Sequence, residues 1–217
     1  EKLTEPVDLQ TVASIDHMLN FHSIRQNKKP THGEALDRYH KPTSQWLADN
    51  LSPKTFEVIS SLASSNQRIA KNMTISESTV RTHIHNASNA TGLTSDQLCL
   101  VMYEVGLLDF DKEIDAAIAQ SEFTELSPLH EKCLQLTADG LTYEEVASKT
   151  PVTTNAVRTQ LHEVYGKLLK GEPADSRAAC LVAYANGKIE MPQKVVQFMK
   201  SALNDVARDS LAELVKD

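Results

Sequence analysis

Apolar residues recur along this chain at helical spacing rather than in strict alternation. Val80, Ile84 and Ala87 stand at i, i+4 and i+7, and Val157, Leu161 and Val164 repeat that pattern. Leu9, Val12, Ile15 and Leu19 predict an N-terminal helix, followed by the loop NKKPTHG and a segment containing Trp46 and Leu47. After Pro192, the series Val195, Val196, Met199, Leu203, Val206, Ser210 and Leu214 predicts an amphipathic helix of about six turns. That helix either covers its own core or pairs with a second copy of the chain.

The pattern also repeats in order. Leu51-Ser52-Pro53 returns as Leu126-Ser127-Pro128, Ile69-Ala70 as Val146-Ala147, and Val80-Arg81-Thr82 as Val157-Arg158-Thr159. Cys99-Leu100-Val101 then returns as Cys180-Leu181-Val182, with Tyr103 and Gly106 matching Tyr184 and Gly187. Each unit opens with a capping serine and a first-turn proline. Phe56, Ile59 and Leu62, or Cys133, Leu134 and Leu136, supply the apolar face of its first helix. A short second helix follows, and then a third capped by Ser76 or Thr153. The expected organisation is an N-terminal helical segment (1–50), a first four-helix domain (51–108), an acidic linking helix (109–125), a second four-helix domain (126–189) and a C-terminal amphipathic helix (190–217). The fold class is therefore all-α.

Composition adds limits. Seven Gly and eight Pro among 217 residues are too few for a hairpin-rich β-sandwich. The net charge of −7 gives the chain no general field for phosphate backbones, so nucleic-acid binding has to be local. The acidity is itself local: residues 109–125 hold six acidic side chains against one basic, whereas the two repeats are each neutral. This separates the chain from uniformly acidic mimics of DNA. Within that connector Ile114, Ala117 and Ile118 keep helical spacing. Cys99, Cys133 and Cys180 lack any paired spacing and read as mostly buried thiols of a reducing compartment. No apolar run reaches the roughly 20 residues of a membrane span, no signal-peptide core is present, and a cytoplasmic location is expected.

A short helix, a turn and a second helix with a polar N-terminal half is the arrangement that enters a DNA major groove. Small hydroxyls and backbone N–H groups at such a helix start bond phosphate oxygens, while Arg, Asn or His one turn later reach base edges. The residues so placed are Ser76, Glu77, Ser78, Thr79, Arg81, Thr82 and His85, then Thr153, Thr154, Asn155, Arg158, Thr159 and His162.

On these residues the chain resembles the LuxR/GerE-type helix-turn-helix of bacterial transcription regulators. ISESTVRTHIHNA with the following TGL and LCLVMYEVGLL is similar to the family's recognition and fourth helices. LSPLHEKCLQLTADGLTYEEVA and NAVRTQLHEVYGKL resemble its first helices and its Tyr-x-Lys-Leu ending. The resemblance implies two tandem LuxR-like domains, each placing its third helix in a major groove, and it adds Lys167 and Arg177 as phosphate contacts. It also implies a fourth helix that serves dimerisation. Several positions depart from the pattern. The loop ASSNQR is two residues shorter than ADGLTYEE, Ala90 replaces the lysine, Asp96 stands where Arg177 stands, Ala156 stands where Thr79 does, and Pro151 enters the second turn. The second unit is thus expected to be the stronger phosphate binder.

The expected function is a sequence-specific DNA-binding transcriptional regulator that is not an enzyme and needs no cofactor. The alternative is an antiactivator or adaptor that holds another regulatory protein on degenerate helix-turn-helix surfaces. Double-stranded DNA is the expected partner; a homodimer through the C-terminal helix or a fourth helix, and a protein partner such as RNA polymerase or another regulator, stay open. The fifty residues ahead of the first repeat are too few for a receiver domain of roughly 120 residues, so control by expression, a partner or a ligand is expected. No metal site is expected. His83 and His85 project about 200° apart on a helix, and His17 and His22 have no cysteine pair before them. No nucleophile elbow or phosphate-cradling glycine loop occurs.

Overall fold

The computed structural model describes residues 33–109, 112–119, 126–169 and 175–214, and among these the structure is α-helical without strands. The N-terminal helix expected around Leu9–Leu19 lies outside them. The described helices are α1 (Gly33–Asn50), α2 (Pro53–Ser60), α3 (Asn66–Asn72), α4 (Glu77–Thr91), α5 (Ser95–Glu104), α6 (Lys112–Ala119), α7 (Pro128–Ala138), α8 (Tyr143–Ser148), α9 (Thr154–Leu169), α10 (Ser176–Ala185) and α11 (Gln193–Leu214).

The helix starts follow from local chemistry. Ser52, Ser65 and Ser76 precede α2, α3 and α4, and each accepts the backbone N–H three residues on. Ser127 does the same for α7, behind a proline in the first turn. Thr94 and Gln97 form a reciprocal capping box at α5, as do Thr142 and Glu145 at α8. Gly92 ends α4 in the left-handed conformation, where a Cβ would be strained.

Packing then sorts the apolar faces into two clusters. Val58, Ile69, Ala70 and Val80 form a small one beneath α2, α3 and the front of α4. The large one takes in the rest of the first unit, the whole second unit and both flanking helices. Val157, Leu161 and Val164 are fully buried in it, as the spacing predicts, and Cys99, Cys133 and Cys180 are buried free thiols.

Two pairings join distant parts of the chain. α1 lies along α11, with Trp46 edge-on to Phe198 at 5.1 Å between ring centroids. The front of the C-terminal helix therefore covers the chain's own core through Val195, Met199 and Ala202. α1 itself runs as one helix through Pro42, over a stretch whose sequence marks only a loop and an undefined segment. The second pairing is α5 with α10, which brings residues about 80 apart in sequence side by side. The linking helix forms as α6, with Ile114 and Ala117 buried, and it packs on α9 and α10.

Candidate nucleic-acid interface

In the first unit α2 and α3 both pack on α4 and leave the front of α4 facing outward. The connection from α3 is tight. Ile75 N–H reaches back to the Ala70 carbonyl at 3.0 Å, and Thr74 takes φ 55°, a left-handed conformation that a β-branched residue adopts at a cost. Ser76 then caps α4, accepting from Thr79 N–H at 3.1 Å, while its hydroxyl also pairs with those of Ser78 and Thr79.

The expected contact residues of this unit share that outward side. Ser76, Ser78, Arg81, Thr82 and His85 are exposed and Thr79 is half-buried. Arg81 is held by Glu77, one turn earlier, at 3.0 Å. Thr82 bonds the Ser78 carbonyl, and His85 pairs with Asn89 at 3.0 Å. His83 points the other way, its Nδ1 3.0 Å from the Thr55 hydroxyl, so it ties α4 to α2.

The second unit repeats the exposure with different support. Thr153, Asn155, Arg158, Thr159 and His162 are exposed and Thr154 is half-buried at the front of α9. Thr153 accepts from Ala156 N–H at 3.3 Å. Arg158 carries its guanidinium 5.8 Å from the centre of the Tyr143 ring, which orients the cation. His162 stands edge-on to Tyr165. Lys167, half-exposed, bonds Glu163 at 2.6 Å and holds that carboxylate below its usual range. Pro151 occupies the position of Thr74; its ring fixes φ near −65°, so this turn cannot close as the first one does.

Arg177 departs from the expectation of a phosphate contact. It is 4% exposed, its guanidinium engages Asp175 through Nε and Nη2, and Nη2 also donates to the Ser64 carbonyl of the first unit at 3.1 Å. The resemblance carried it over as a surface cation, but here it clamps the two units together. Its neighbours are of the same kind. Ser176 donates to Asp96 at 2.8 Å, and burial pushes the Asp96 carboxyl up from 3.8 to about 6, against the lowering effect of that bond. Tyr184 donates to Glu104 at 2.9 Å, and His40 approaches the other oxygen of Glu104 at 3.3 Å. Tyr103 and Tyr184 meet edge to face.

Sequence reading missed this inter-unit seam. A signal for it exists: α10 reads RAACLVAYA, and its run from Arg177 to Tyr184 is buried all round, which marks a helix covered on every side.

Residues 49–102 match the family model described as GerE: Bacterial regulatory proteins, luxR family. This stretch holds α2, α3, α4 and most of α5, so the exposed front of α4 lies within the part of the chain that is similar to that family. The match suggests a DNA-binding transcription regulator, and residues 126–189 lie beyond it. Comparison with curated proteins and with solved structures gives no match. Among the described residues no helix is long and apolar enough to cross a membrane, and no group of three or more His, Cys, Asp or Glu side chains could hold a metal ion.

Proposed function

We propose that the chain is a sequence-specific transcriptional regulator in which both units read double-stranded DNA, α4 and α9 each entering a major groove. One observation carries this reading: both helices present hydroxyls at their first turn and an Arg with a His one and two turns on, all facing outward, with no exposed large apolar side chain among them. Ser76, Ser78, Thr79, Thr153 and Thr154 hold phosphates, and Arg81, Thr82, His85, Asn155, Arg158, Thr159 and His162 reach base edges. Lys167, in the last turn of α9, adds a phosphate contact.

A salt titration on duplexes selected from a random library tests it. Phosphate contacts make log K fall against log salt with a slope of about −0.9 per contact. Lys167→Ala should flatten that slope by about one, whereas Arg158→Ala, at a base edge, should cost about 1–3 kcal/mol and relax specificity at its base pair. Unchanged affinity in both variants would remove the second unit from the interface.

The adaptor reading draws on a specific feature as well. Arg81 and Lys167 are already paired with Glu77 and Glu163, and Arg177 is withdrawn into the core. Salt-independent capture of a protein, with no duplex enriched from the library, is the outcome that favours it.

A further inference from the structure

The pairing of α5 with α10 has a defined symmetry. At the starts of the two helices Ser176 bonds Asp96, and toward their ends Tyr184 bonds Glu104 and meets Tyr103. Start lies on start and end on end, so the helices run parallel. The sequence repeat, meanwhile, equates Cys99 with Cys180 and Tyr103 with Tyr184. Equivalent residues therefore face one another, which is the mark of an isologous contact with a local two-fold axis along the helix pair. Rotation about that axis leaves directions along it unchanged. Two reading helices related by it point toward the same side of the molecule, with opposite sense across it.

We infer that a single chain is a closed pair of reading heads and binds one duplex at two unlike half-sites in inverted orientation, about one helical turn apart. This rests on the proposal that both units read DNA. A chain whose units were related by translation would read a direct repeat instead. The seam itself selects pairing of unlike units. Asp96 and Arg177 occupy equivalent positions with opposite charge, each within electrostatic reach of the other, so either unit paired with its own kind would bury two like charges. Arg177 reaches across to the Ser64 carbonyl, and Gly140 of the second unit sits against the Thr94–Gln97 box of the first, where an added Cβ would come within 3.1 Å of both side chains. Gln97 to Met102 of α5 and Arg177 to Tyr184 of α10 are buried within the chain, which covers the middle of both fourth helices.

The test uses the full chain and duplexes carrying the two selected half-sites in inverted or direct order, with centres roughly 10 or 15 base pairs apart. Binding is read by fluorescence anisotropy and stoichiometry by native mass spectrometry. The expected result is one chain per duplex, with the inverted order at the full-turn spacing bound at least about tenfold tighter than the others. Equal affinity for all arrangements, preference for the direct order, or two chains per duplex would overturn the pairing while leaving DNA binding in place. Absence of binding to any selected duplex overturns the DNA-reading proposal itself, and the pairing inference with it.

Discussion

The two units present similar outward faces on unlike foundations. Beneath the front of α4 lie Val58, Ile69, Ala70 and Val80, with Met73, Ile75 and Ile84 half-buried against them, a small cluster beside the main core. Beneath α9 lie Val157, Leu161, Val164, Tyr165, Leu168 and Leu169, all within the main core. The first reading head is thus a small lobe on a large body, and the second is part of the body. Local opening follows local apolar burial, so the front of α4 should exchange its amide hydrogens at a lower free energy than α9. The firmer unit also carries the cation–aromatic pair of Arg158 and Tyr143 and the added Lys167.

Changes at the seam and the turns test this contrast, the largest effect coming from the residue that links the units. Arg177→Met removes the cation paired with Asp175 and the bond it donates to the Ser64 carbonyl, and should cost about 3–5 kcal/mol by urea denaturation. Arg158→Ala, on the exposed face of α9, should change stability by no more than about 0.5 kcal/mol. Comparable losses in the two variants would contradict the division between clamp and contact.

Asp96 provides a pH-dependent measure. Because its folded pKa is raised from 3.8 to about 6, the folded chain holds that proton more tightly than the unfolded one. Its contribution is complete below about pH 4 and is lost as pH rises through 6. Asp96→Asn keeps an acceptor for Ser176 and removes the titration. Its stability relative to the parent should therefore rise between pH 4 and 7, by at most about 3 kcal/mol at roughly 1.4 kcal/mol per unit. A flat difference across that range would show that Asp96 is not desolvated at the seam.

Gly140 and Thr74 give the smaller effects, one in each unit. Gly140→Ala meets both a positive φ of 91° and the Gln97 side chain at 3.1 Å, and should cost about 1–2 kcal/mol. Thr74→Gly removes a strained left-handed β-branched residue from an exposed turn and should add about 0.5–1 kcal/mol, measured as a higher Tm. A loss there would mean that the threonine side chain stabilises the first turn in a way its exposure does not reveal.

The legible parts of this fold were the local ones. Ser52, Ser76, Ser127 and Thr153 announce helix starts because a cap involves only the next three residues. The buried stripe of α9 could be read from periodicity for the same reason. The outward hydroxyls and arginines of α4 and α9 followed from the position of those stripes. Arg177 was not legible, since its burial depends on a carbonyl 113 residues earlier in the chain. Nor was α1, where Pro42 breaks the helical pattern while packing on α11 sustains the helix. The C-terminal helix could be read as an element, but its partner was decided by Trp46 and the core beside it.

The contact between α1 and α11 bears on how the chain comes to be folded. Helices near opposite ends of the described sequence meet, and the loop they close spans more than 140 residues. Contacts of such separation form late, because the entropy of closing the loop is lost before the contact rewards it. On the ribosome, where the N-terminal side emerges first, Leu47 and Trp46 wait without their cover until Val195, Phe198 and Met199 have been made. The first reading head is therefore synthesised long before the helix that seals the body beneath it, and a chain released short of α11 would display that apolar surface to every other protein it met.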